Sequence, residues 1–179
     1  CPAITMRSFA HEKATGTYES LMTTPVTSLQ VLGSKFAACW VFYGMLWLPL
    51  WLMMIWLGQF FSDPGYLDGG IVFGTALGVL LVGGLFLAIG CLASVLTQSQ
   101  LIAAMMALTL ETALFMLSFV IHLLPDQSGW QATLFEHLSL FNHMSDFVRG
   151  ILDGSHLAFY FCTITFCLFL TWRWVESRK

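Results

Sequence analysis

The chain has 179 residues, 58% of them hydrophobic and 9% charged, against about 25% charged in a soluble globular domain. That composition excludes an ordinary water-soluble fold, and a net charge of −3 offers no basic surface for nucleic acid. Five cysteines are an odd number, and Cys39, Cys91, Cys162 and Cys167 lie in apolar runs, where cysteine acts as a small hydrophobe rather than part of a disulfide framework.

The chain opens on Cys1 with no basic-then-apolar leader, so we read it as a fragment whose beginning lies upstream. Residues 1–35 form the first unit: the end of an earlier membrane helix followed by an amphipathic, punctuated cytoplasmic segment. Thr5 or Ser8 can cap a short helix through Lys13, with Gly16 as its left-handed stop. Thr17 can cap a second short helix, Tyr18 to Thr23, before Pro25 ends it, and Ser28 can cap the run into the membrane. Periodicity alone also fits a helix that rests on lipid.

Residues 36–179 are the transmembrane unit. The first crossing is expected at about 36–58, where Pro49 is tolerated because neighbouring groups in a membrane bundle satisfy the freed carbonyl. Turn formers and acids from Ser62 to Gly70 mark a loop. The second crossing, about 71–96, carries Gly70, Gly74 and Gly78 at intervals of four, a stripe that lets another helix approach closely, and Gly83, Gly84 and Gly90 add small positions. This pattern predicts a central place in the bundle. The short polar break Thr97 to Gln100 makes the third crossing, about 101–124, antiparallel to the second.

Glu111 lies midway along that third crossing, where an acid costs about 2.5 to 3.5 kcal/mol on the insertion scale. Twelve Leu, Ile, Phe and Val residues at 101–124 contribute roughly −4 to −7 kcal/mol, so the helix still inserts. Gln100, Ala104, Ala107, Glu111, Ser118 and His122 share one stripe of a 3.6-residue helix. Two readings stay open for Gln100, Glu111, Ser118 and His122: the lining of a substrate path or subunit seam, or a structural acid satisfied by a neighbouring helix.

The outer segment, about 133–154, has Leu134, Leu138, Phe141, Met144, Val148 and Ile151 at helical spacing, with Ser139 or Asn142 as caps. It is expected to form one or two helices dipping at the outer surface. His137 and His143 lack a third ligand at useful spacing, so no metal is expected and both are read as solvated or interfacial. The fourth crossing is about 156–172. Six of the seven Lys and Arg residues precede the first crossing or follow the last, and Arg149, in the outer segment, is the exception, with Asp146 or Asp153 as partner. Four crossings then place both ends in the cytoplasm. The expected fold class is an all-α, polytopic transmembrane helix bundle.

No nucleophile elbow, HExxH signature or second intramembrane carboxylate accompanies Glu111, so no catalytic site is expected. An intramembrane enzyme using Glu111 is a minor alternative, and a non-catalytic assembly scaffold a larger one. No filter-like loop supports a channel, and no phosphate-binding P-loop is present, so nothing here binds ATP.

The run from Ile4 to Thr27 resembles the cytoplasmic loop of ABC-2 type transporter permeases, closest to the gliding-motility and copper-processing branches. The matching positions are Met6, Arg7, Glu12, Lys13, Gly16, Thr17, Glu19, Leu21, Pro25, Gly33 and Lys35. Leu96 to Ala104 and Phe147 to Asp153 are weaker echoes, whereas His11 stands where relatives tend to have an acid. The resemblance implies six membrane helices in the full chain, two of them upstream, in the plasma (inner) membrane. It implies contact with a separate ABC ATP-binding subunit, which holds ATP and magnesium, through Glu12, Lys13, Gly16, Thr17, Glu19, Leu21 and Met22. Leu21 and Met22 would anchor a helix in a groove and Glu19 would orient it. A second permease copy or paralogue, together with membrane lipid, completes the expected partners, and the chain would serve an exporter. The substrate class stays open.

Overall fold

The structure, a computed structural model, describes residues 1–6, 9–10, 27–60, 69–123, 140–150 and 153–177, with the side chains of 59–60 and 120–123 outside the description. All regular structure among the described residues is helical. In chain order the helices are α1 (Pro2–Thr5), α2 (Ser28–Phe60), α3 (Gly69–Leu96), α4 (Gln100–Leu123), α5 (Leu140–Val148) and α6 (Gly154–Glu176). α2, α3, α4 and α6 are each long and apolar enough to cross a membrane.

α2 begins at Ser28, the position read as the start of the run into the membrane, and continues through Lys35 and Pro49 to Phe60. α6 likewise continues past Trp172 through Arg173 to Glu176. The reason is common to both: a charge ends an apolar run, but it does not end a helix whose backbone bonds continue in the aqueous boundary. The Asp153 side chain caps α6 by accepting from the Ser155 amide at 3.1 Å. Threonines within the crossings satisfy their hydroxyls on the carbonyl four residues back, as at Thr75 to Ile71 (2.8 Å), Thr165 to Phe161 (2.7 Å) and Thr171 to Cys167 (2.7 Å). No polar group then faces hydrocarbon unpaired at those positions.

α3 is the centre of the bundle. It touches each of the other helices, and fourteen of its 28 residues are buried. Its glycines explain how so many neighbours fit. A Cβ on Gly74 would lie 2.5 Å from the Phe147 carbonyl oxygen, and one on Gly78 would lie 2.9 Å from the Phe147 ring. α5 is therefore the helix that the first glycine stripe admits. Further along, a Cβ on Gly83 would fall inside the Tyr43 ring and one on Gly84 would lie 3.2 Å from Trp40 Nε1.

These last two glycines also uncover hydrogen-bond acceptors. In a helix the Cβ of a residue leans back over the preceding turn. With no Cβ at 83 and 84, the carbonyls of Val79 and Leu80, four residues earlier, keep a lone pair open to a second donor. Tyr43 Oη donates to Val79 at 3.3 Å and Trp40 Nε1 donates to Leu80 at 3.2 Å. α2 is thus held to α3 by polar bonds although most of its surface is apolar and exposed, with Met45, Met53 and Trp56 each 61% accessible.

Two apolar clusters sit toward opposite ends of the bundle. Leu81, Leu85, Ile89, Leu140, Phe147 and Tyr160 form one. Phe9, Leu32, Val95 and Val175 form the other, joining the segment before α2, the start of α2 and the ends of α3 and α6. The flanks that carry Lys35 and Arg173 therefore meet at the end of the bundle where the Thr97–Ser99 turn lies.

The glycine contacts predict a graded mutational response. Gly74→Ala meets backbone and is expected to destabilise by about 1–3 kcal/mol, whereas Gly83→Ala meets a ring that can swing away and should cost less. Gly33→Ala, with nothing within 4 Å of its Cβ, should be neutral or slightly stabilising. Thermal unfolding of the three variants in one detergent checks the order.

Candidate functional site

The expected ATPase-contact residues Glu12, Lys13, Gly16, Thr17, Glu19, Leu21 and Met22 lie outside the described residues. What the structure describes is how the chain on either side of them is anchored. The Phe9 and Ala10 amides both donate to Ser94 Oγ, at 3.1 and 3.0 Å, and all three residues are buried. One turn earlier on α3, Thr5 lies against Gly90, where a Cβ would come within 2.2 Å of Thr5 Oγ1. Lys35 Nζ stands 4.4 Å from the centroid of the Phe9 ring, in range for a cation–π contact. Past residues 11–26, Ser28 and Leu32 are buried in the same end of the bundle. Ser94 had no motif to announce it. Its only sequence signal is a hydroxyl four residues after Gly90 on a helix otherwise almost without polar side chains.

The stripe on α4 is the face that the helix turns inward. Ala103, Ala107 and Ser118 are buried, while Leu101, Met105 and Leu108 on the opposite side are 72%, 63% and 58% exposed. Gln100 and Glu111 are half-buried on the inward side. Among the described residues Glu111 Oε1 is buried with no hydrogen-bond partner, a costly arrangement for a carboxylate in a membrane. Ser118 has a definite partner: its Oγ accepts from the Phe141 amide at 3.0 Å and so caps the start of α5. Gln100, Glu111 and Ser118 are strung over some 27 Å of helix and share a face without meeting at one point. His122 is on the same helix, and its side chain lies outside the described residues.

The segment expected at the outer surface departs from expectation in two ways, and its helix α5 has a cap that the sequence did not announce, at Ser118; Ser139 lies outside the described residues. The buried face is Leu140, His143 and Phe147, whereas Phe141 and Val148 of the anticipated stripe are exposed. Hydrophobicity could not distinguish these faces because lipid accepts one as readily as protein does the other; the choice falls to shape, with Phe147 filling the hollow over Gly74 and Gly78. Finally, His143 is 2% exposed, not solvated. Its ring stacks on His156 at 4.1 Å between centroids and lies 5.3 and 5.7 Å from Phe159 and Tyr160. His156 Nε2 is 3.0 Å from Asp146 Oδ2, which ties α5 to α6. Gly150, at φ +75°, turns the chain out of α5 against Gly70 and Ile71. His137 is outside the described residues, and among the described residues no three His, Cys, Asp or Glu groups converge to hold a metal ion.

A central glycine-faced helix, three further crossings and a short helix packed into one end define a polytopic membrane protein. The family model for the ABC-2 family transporter protein matches residues 2–170. The chain belongs to that family and is a membrane permease component of an ABC transporter, a family that normally works with an ABC ATPase subunit. No curated protein and no solved structure matches it.

Two measurements probe the site. Ser94→Ala strands two buried amides and is expected to destabilise by about 1–3 kcal/mol, with faster hydrogen exchange at Phe9 and Ala10. Phe147→Ala should cost about 3 kcal/mol or more, while Asp146→Ala, whose side chain is 35% exposed, should cost about 1 kcal/mol or less. Equal losses at Phe147 and Asp146 would contradict the packing assigned to α5.

Proposed function

We propose that this chain is the membrane-spanning subunit of an ATP-driven exporter of the ABC-2 type in the plasma membrane, within the gliding-motility and copper-processing branch. A separate ATPase subunit hydrolyses ATP and engages residues 12–22, with Leu21 and Met22 as anchors and Glu19 orienting. Both ends of this stretch of chain are cytoplasmic, which places the Phe9–Leu32–Val95–Val175 cluster at the inner surface, in keeping with six of seven basic residues on these flanks. A second permease copy or paralogue completes the pathway. The family match over residues 2–170 carries this reading.

The anchoring at Ser94 supports a direct mechanical route. A push on residues 11–26 is delivered through the Phe9 and Ala10 amides to Ser94, and through Thr5 to Gly90, on the one helix that touches all the others. α3 is 28 residues, about 42 Å long, and its far end holds α5 at Gly74 and Gly78. Tilting α3 therefore moves the outer helix along with the inner segment. The half-buried face of α4, with Glu111, lies beside that moving helix and is the part of this chain best placed to meet a polar group in transit.

The test is affinity capture of the complete protein from its native membrane in mild detergent, comparing wild type with Leu21→Asp. Wild type should bring down an ATPase, and the well-folded variant should recover at least about tenfold less bound ATPase activity, as for loss of a buried interface anchor. Equal recovery by both removes the docking role of Leu21, and no ATPase with wild type overturns the two-subunit reading.

A further inference from the structure

Between α2, α3, α4 and α5 lies a cavity of about 520 Å³, lined by Tyr43 and Trp47, by Val79, Val82 and Phe86, by Phe115, and by the α5 face that ends in Arg149. Its volume falls within the range of sites that enclose the body of a small molecule. It is amphipathic along its length. Gly150, the neighbour of Arg149, packs on Gly70 and Ile71 at the start of α3, so Arg149, which is exposed, lines the cavity at the level where α3 begins. Val79 to Phe86 line about 10 Å of helix deeper in the bundle, with Tyr43 bonded to the Val79 carbonyl at that level.

Arg149 is the one basic residue of seven that neither precedes the first crossing nor follows the last. The carboxylates closest to it in sequence are engaged: Asp146 faces His156 and Asp153 accepts from the Ser155 amide. Among the described residues no carboxylate is within ion-pair distance of its guanidinium. A cation at the mouth of an apolar cavity on a membrane-exposed surface complements an anion joined to hydrocarbon.

We propose that this cavity seats one acidic lipid of the surrounding bilayer, its headgroup on Arg149 and one acyl chain along Val79, Val82 and Phe86. The proposal requires that the helices span a membrane and is independent of the ATPase partner.

The experiment is native mass spectrometry of the full chain released from nanodiscs of phosphatidylglycerol and phosphatidylcholine in equal parts. Wild type should retain phosphatidylglycerol over phosphatidylcholine by about tenfold, the gain of a charge-assisted contact. Arg149→Gln should lose that preference, Arg149→Lys should keep part of it, and Val148→Trp, which fills the mouth, should retain neither lipid above the level of loosely held annular lipid. The Arg149 pair decides the matter should Val148→Trp fail to insert. No preference in wild type, an unchanged preference in Arg149→Gln, or full retention by a folded Val148→Trp each overturns the assignment. Recovery of wild type as a lipid-free pair of copies that Val148→Trp separates overturns it in favour of a protein helix in the cavity.

Discussion

Close approach to α3 is the constraint on which this structure depends. In a bilayer the hydrophobic effect does not drive helices together, since lipid tails are as apolar as leucine side chains, and association rests on packing and on polar bonds. α3 supplies both through the same residues. Gly74 and Gly78 accept Phe147 of the outer helix, Gly83 and Gly84 accept Tyr43 and Trp40 and leave two carbonyls open to them, and Gly90 accepts Thr5. α5, α2 and α1 are thus each assigned their own stretch of one helix, and a Cβ at most of these points would push a partner away.

The remaining hydrogen bonds follow the same logic. The Phe141 amide at the start of α5 finds its acceptor on Ser118 of α4, which fixes where the short helix enters the bundle. Ser94 plays the corresponding part at the opposite end for the backbone of Phe9 and Ala10. In both places a lone hydroxyl on a membrane helix satisfies amides of a segment that is not a crossing, where water is scarce and an unmet donor is expensive. Two serines, one near each end, hold the pieces that an ATP-driven transporter would need to move.

This layout separates holding from contacting. The attachments at the Ser94 end sit on buried residues, whereas the stretch expected to meet an ATPase lies between them in the chain. At the other end, Leu140, His143 and Phe147 of α5 are buried, and Phe141, Met144, Val148 and Arg149 beside them line the cavity that α5 shares with α2, α3 and α4. One short helix therefore both packs on the glycines of α3 and forms a wall of the cavity.

Much of the architecture was legible in the sequence because the bilayer imposes length and apolarity on any spanning helix, and glycine spacing marks the one that others can approach. The class of protein was legible too, in the order of residues from Met6 to Lys35 that the resemblance follows. Legibility stopped where the choice was between two apolar faces. Phe141 and Met144 looked as fit for the interior as Phe147, and His143 looked more suited to water than to burial, since composition holds no record of ring stacking on His156 or of a hollow left by Gly74 and Gly78. By itself the sequence determined how many helices could cross and which was central, because those follow from local properties of each segment. Only the tertiary structure decided which face of α5 is inside, that Ser94 and Ser118 are the attachment points, and that Arg149 is left without a carboxylate among the described residues. Each of these depends on residues distant in the chain, and in lipid it is shape and hydrogen-bond satisfaction, not hydrophobicity, that selects among them.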